Sequence, residues 1–143
     1  MERQLRVLFV TNDLPPSIYG GTGIYAYNFI RTLKKLLEDK VAIETLSVKG
    51  RLHNMPGFEN LKIPKYEINL KFNRYPIRNF EFAIKANNFI RRASLEFDLI
   101  HDNTNSIISA KLPVLNMVHY YALMEEKYWG HACFLDTTAR IAI

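Results

Sequence analysis

LRVLFVTNDLPPSIYGGTGIYAYNFIRTLKKLL, residues 5–37, decides the fold. Residues 5–10 form an apolar and β-branched run broken only by Arg6, the pattern of a strand buried on both faces. Thr11, Asn12 and Asp13 end the run, and Pro15 and Pro16 forbid continuation as strand or helix, so a loop must follow. From Thr22 the period changes. Ala26, Phe29, Ile30, Leu33, Leu36 and Leu37 recur at intervals of three and four, with Arg31, Lys34 and Lys35 opposite them, which predicts an amphipathic helix. Lys34 and Lys35 fall in its last turn, where cations suit the negative end of the helix dipole.

The same alternation continues outward. VAIETLSV (41–48) predicts a second strand, and LKIPKYEI (61–68) a weaker third, placed at an edge or broken because Pro64 lies inside it. Phe82, Ala86, Phe89, Ile90 and Ala93 line one side of residues 77–96 and predict a second helix. FDLIHDN (97–103) and PVLNMVH (113–119) predict two more short strands with polar ends. Strands alternating with helices must pair in parallel, because parallel neighbours need long crossovers. The expected fold class is α/β, a Rossmann-like open parallel sheet flanked by helices. In such sheets the ligand crevice is lined from the carboxyl ends of the strands. Here those ends are Asn12 with Asp13, residues 101–105, and His119 with Tyr120 and Tyr121.

Gly20, Gly21 and Gly23 open the first helix. Glycine lets a ligand approach the backbone, and the free amides at a helix N-terminus suit a phosphate or diphosphate. Gly21, Gly23 and Ala26 also satisfy the GxGxxA pattern of NAD enzymes, but the spacing opposes it: residues 12–19 intervene between strand and glycines, and the acid expected at the end of the second strand is replaced by LSVKG, with Glu44 inside the strand.

Taken in order, RVLFVTNDLPPSIYGGTGIYAYNFIRTL, FDLIHDN and PVLNMVHYY resemble the N-terminal, acceptor-side domain of retaining GT-B glycosyltransferases, glycosyltransferase family 4-like. The resemblance spans nearly the whole chain. It implies that Gly20 and Gly21 meet the donor diphosphate through their backbone amides, that His119 faces the donor sugar as the catalytic residue, and that Asn12, Asp13 and Asn103 border the acceptor. The nucleotide-sugar would be a co-substrate, with no further cofactor. In that family a second Rossmann-like domain grips the sugar nucleotide, and its basic and acidic residues have no counterpart in residues 1–143. The chain is therefore expected to be one domain of a truncated or split enzyme, inactive alone, reaching its donor through a missing or separate C-terminal domain. The acceptor would be lipid-linked or a polysaccharide. The alternative from a different class is a non-catalytic Rossmann-like module that binds an anion or a protein, with a homodimer through an open sheet edge or a peripheral membrane adaptor as its forms.

Composition sets the remaining limits. The 143 residues are 48% hydrophobic and 23% charged, ordinary for a globular domain, and a chain of this length buries roughly 70% of its unfolded surface. Cys133 is the lone cysteine, so no internal disulfide can form and a reducing, cytoplasmic setting is expected. The first residues lack a signal h-region and cleavage site, and nowhere is there an uncharged apolar run near the roughly 20 residues a membrane span needs. His101, Asp102, His119 and His131 lack ligand spacing, so no metal is expected, and Cys133 with His131 and Asp136 lacks an activation motif. Tyr120, Tyr121, Tyr128 and Trp129 are read first as packing and second as sugar-stacking aromatics. The net charge of +5 concentrates between Lys62 and Arg92, where eight cations face only Glu67 and Glu81 and aromatics are interleaved. Such a stretch can attract anionic lipid or a phosphorylated acceptor and place the chain peripherally at a membrane; nucleic acid is not expected as its partner.

Overall fold

The computed structural model describes residues 3–14, 21–37, 40–49, 61–93, 96–104, 106–107 and 111–117. Gly20 and His119 lie outside them, as do Cys133, His131 and the aromatic group from Tyr120 to Trp129. The described elements follow the order β1 (Leu5–Thr11), α1 (Gly21–Leu37), β2 (Val41–Val48), β3 (Lys65–Ile68), α2 (Ile77–Ala93), β4 (Leu99–Asp102) and β5 (Val114–Asn116). All five strands pair in parallel, in the spatial order β3-β2-β1-β4-β5.

Strand β1 sits at the centre because its side chains can be buried in both directions. Leu8 and Val10 point to one face and pack with Phe82, Ala86 and Ile90 of α2, while Phe9 points to the other and packs with Ala26 and Ile30 of α1. The two helices therefore cover opposite faces of the sheet, as a doubly wound Rossmann-like fold requires. Pro64 immediately precedes β3, the edge strand beside β2, and its carbonyl accepts from the Thr45 amide (3.0 Å). Proline is tolerated there because an edge strand owes hydrogen bonds on one side only.

One expectation for α1 fails. Leu36, assigned by spacing to the apolar stripe, is 71% exposed. The buried line runs through Gly23, Ala26, Tyr27 and Ile30, and position 36 is rotated away from it, beyond the reach of the sheet. Strand β5 is also shorter than the residues 113–119 proposed for it, at three residues.

Arg6, Glu44 and Tyr66 tie β1, β2 and β3 together on the α2 side. Arg6 Nη2 donates to Glu44 Oε1 (2.8 Å) and the Tyr66 hydroxyl donates to Glu44 Oε2 (2.7 Å). Burial pushes the Glu44 carboxyl upward, but the hydrogen bonds from Arg6 and Tyr66 outweigh it and hold the carboxyl below its ordinary value. Glu44, which lies inside β2, is thus engaged within the sheet by both carboxylate oxygens.

Candidate functional site

The strand order reverses between β1 and β4: β2 and β3 extend from one side of β1, β4 and β5 from the other. In open α/β sheets the ligand site lies at such a switch point beyond the carboxyl ends of the strands, and the predicted residues Asn12, Asp13 and Asn103 follow the ends of β1 and β4 at that point. The ladder carries them to one level, since the Asn103 amide donates to the Val10 carbonyl (2.9 Å).

Thr11 organises the turn. Its hydroxyl donates to the Asp13 carbonyl (2.9 Å) and accepts long hydrogen bonds from the Asp13 amide and from Asn103 Nδ2, both at 3.4 Å. That uses its one proton and both lone pairs. Asn103 Nδ2 also reaches the Thr22 carbonyl in the first turn of α1 (3.4 Å), and the Thr22 hydroxyl donates to Asp13 Oδ2 (3.4 Å). The end of β1, the end of β4 and the start of α1 are therefore joined by the side chains of four polar residues, Thr11, Asp13, Thr22 and Asn103.

Asp13 is 8% exposed. Its Oδ1 makes no hydrogen bond among the described residues and lies 3.8 Å from Arg78 Nη2, outside hydrogen-bonding distance but within reach of the charge. Burial raises the Asp13 carboxyl above its ordinary value, and the Arg78 charge and the Thr22 hydrogen bond offset this only in part. Asn12 Oδ1 is a second buried oxygen with no hydrogen bond among the described residues. Both are acceptors, so the unmet capacity of the site is for donors.

Gly21 is the first residue of α1, and a Cβ built on it would meet nothing within 4 Å. Among the described residues, nothing crowds that one position. Asp13 limits what can enter: its carboxylate already faces the first turn of α1 through Thr22, the position where the dipole would otherwise attract a phosphate.

Two neighbours within the strand end are structural. The ring of His101 is buried against Phe9 (4.6 Å between centroids, nearly parallel) and Phe29 (4.7 Å), inside the α1 layer rather than in the crevice. Asp102, fully buried, accepts from the Thr104 amide (2.8 Å) and hydroxyl (2.7 Å) and from the Ile107 amide (2.8 Å), which folds the loop after β4 back beneath the sheet end. Among the described residues no three His, Cys, Asp or Glu side chains converge as metal ligands.

Thr11, Thr22 and Arg78 complete the site although the sequence did not single them out for it. The two threonines carried a positional signal, next to a strand end and a helix start. Arg78 was recognised only as part of the basic stretch; it reaches Asp13 because α2 also begins at this edge of the sheet.

The chain matches no protein-family model and no curated protein.

Proposed function

We propose that the chain is the acceptor-side half of a glycosyltransferase cleft, acting on a nucleotide-sugar donor with retention of configuration. The observation that carries this reading is the pairing, at the switch point of a parallel sheet, of two buried acceptor oxygens with a helix that starts at Gly21, where a Cβ would meet nothing among the described residues. Asn12 and Asp13 would accept hydrogen bonds from hydroxyls of the sugar acceptor, and Asn103 would keep β1 and α1 in register around it. Gly20 and Gly21 would present amides to the leaving diphosphate, and His119 would face the donor sugar. Transfer demands that the anomeric carbon and the acceptor hydroxyl be held together while the departing charge is stabilised. These residues supply one wall of that arrangement, so the donor would need a second wall to be held tightly.

Ligand-observed NMR with nucleoside diphosphates and sugar nucleotides tests the proposal. Weak binding by the wild type that disappears in Gly21→Val and weakens in His119→Ala is expected. Binding indifferent to both substitutions sinks it.

The competing reading is a non-catalytic module, and the position of Asp13 favours it: a carboxylate against the first turn of α1 is a poor neighbour for a diphosphate. Under that reading the titration shows no nucleotide binding, and any ligand presents hydroxyl or amine donors to Asn12 and Asp13.

A further inference from the structure

The solvent face of α2 carries an apolar stripe that the packing of the sheet does not use. Ile77, Phe80 and Ile84 are 52%, 65% and 48% exposed. Their spacing of three and four places them on one side of the helix, opposite Phe82, Ala86 and Ile90, which are buried in the core. Phe72 and Tyr75, both also more than half exposed, extend the patch into the segment before the helix. Exposed large apolar side chains grouped on one helix face and the segment leading into it mark an interaction face. The layer on the other side of the sheet differs: the large apolar residues exposed on α1 are Ile24 and Leu36, separated by about three helical turns.

The charges around the stripe favour an anionic occupant. Lys71 and Arg74 precede the helix, and Arg91 and Arg92 end it. Among the described residues none of these four has an ion-pair partner. Glu81, the one acid between residues 71 and 93, is already engaged. Its carboxylate accepts from the backbone amides of Lys71 (2.9 Å) and Phe72 (3.0 Å) and from Lys85 Nζ (2.6 Å), so it fixes the segment carrying Phe72 while Lys85 cancels its charge. What remains outward is apolar and cationic apart from the neutral amides of Asn73 and Asn88. A protein groove would demand directional partners for a polar rim, whereas a layer of anionic headgroups over acyl chains asks only for this combination.

We propose that this face of α2 docks on an anionic lipid surface, with Phe72, Tyr75, Ile77, Phe80 and Ile84 at the headgroup and acyl boundary and Lys71, Arg74, Arg91 and Arg92 on the lipid phosphates. The inference goes beyond the catalytic proposal and stands without it. Cosedimentation of the full chain with phosphatidylcholine vesicles, with and without phosphatidylserine, tests it. Binding is expected only with phosphatidylserine and falls as salt rises. The double variant Phe80→Ser/Ile84→Ser weakens it roughly tenfold, and Arg91→Gln and Arg92→Gln weaken it about fivefold each. Leu36→Ser, on the opposite layer, leaves it unchanged. Circular dichroism and thermal melts of each variant separate lost docking from lost folding. Absence of binding, equal binding to neutral vesicles, or an equal loss in Leu36→Ser overturns the proposal. So does a concentration-dependent dimer that Phe80→Ser/Ile84→Ser abolishes while vesicles are ignored, since a second copy would then be the occupant. Nucleotide titration of Phe80→Ser/Ile84→Ser keeps this outcome separate from the catalytic reading, because these side chains are exposed on the side of α2 opposite Phe82 and Ala86 and are not among the residues assigned to the site.

Discussion

Asp13 is the residue on which site and stability pull in opposite directions. Its folded pKa is raised above the ordinary 3.8, mainly by burial. A carboxyl raised on folding contributes stability that is fully present below its unfolded value and is lost as the pH climbs through its folded value. At neutral pH the buried carboxylate is therefore a liability, of the kind retained where function needs it. Asp13→Asn is expected to increase stability to urea at pH 7 by on the order of 0.5 kcal/mol, with the gain shrinking as the pH falls through the raised folded value toward the unfolded 3.8. A lower stability at pH 7 would mean that the Arg78 pair outweighs burial. Gly21 gives a complementary expectation. Because a Cβ there enters open space, Gly21→Ala should leave the thermal melt unchanged or improve it by roughly 0.5 kcal/mol through a stiffer unfolded chain. Asn12, Asp13 and Asn103 were legible in the sequence because strand-ending polar residues collect at one edge of a parallel sheet. Arg78 was not, because its pairing with Asp13 depends on where α2 begins in space.

The elements divide in the same way. Helix α2 was legible from the spacing of Phe82, Ala86 and Ile90, and the edge position of β3 from Pro64, since both follow from local chemistry. The exposure of Leu36 was not, because periodicity reports that a residue is apolar but not whether the sheet extends beneath it. Phe82 is fully buried between α2 and the sheet, so Phe82→Ala should destabilise the chain by roughly 3–5 kcal/mol in denaturant unfolding, where Phe80→Ala, two residues away and exposed, should change it by less than about 0.5 kcal/mol. Glu81 supplies the pH signature of this helix. The Lys85 hydrogen bond, followed by the Phe72 and Lys71 amides, lowers its carboxyl to about 2. A depressed carboxyl contributes stability present above its unfolded value of 4.5 and lost as the pH falls toward about 2. Glu81→Gln should accordingly flatten the decline in stability between those two pH values, measured by thermal melts across the acid range, and an unaltered acid profile would show that other carboxyls govern it.

At the scale of the molecule, the alternation of strands and helices made a parallel sheet legible but left its order open, since β1 reads as apolar toward both faces and does not say which helix takes which. The order β3-β2-β1-β4-β5 arises because α1 covers Phe9 while α2 crosses to cover Leu8 and Val10, and that choice is what places the ends of β1 and β4 side by side. The same order predicts a gradient of local stability. Strand β1 is bonded on both sides, to β2 along Leu5–Thr11 and to β4 along Val7–Val10. Strand β3 is bonded to β2 alone, over four residues, and exposes Lys65 and Glu67. Opening β3 gives up its ladder to β2, the Tyr66 and Ile68 contacts and the Tyr66 hydrogen bond to Glu44, whereas opening β1 breaks two ladders and dismantles both layers at once. Hydrogen exchange should therefore be slowest at the amides of residues 7–10, with β3 exchanging through a separate, lower-energy opening. In Glu44→Gln, which weakens the bonds from Arg6 and Tyr66, β3 should exchange faster still while β1 keeps most of its protection. Equal acceleration of both strands would show that the sheet opens as one unit and that its edge is not independently labile.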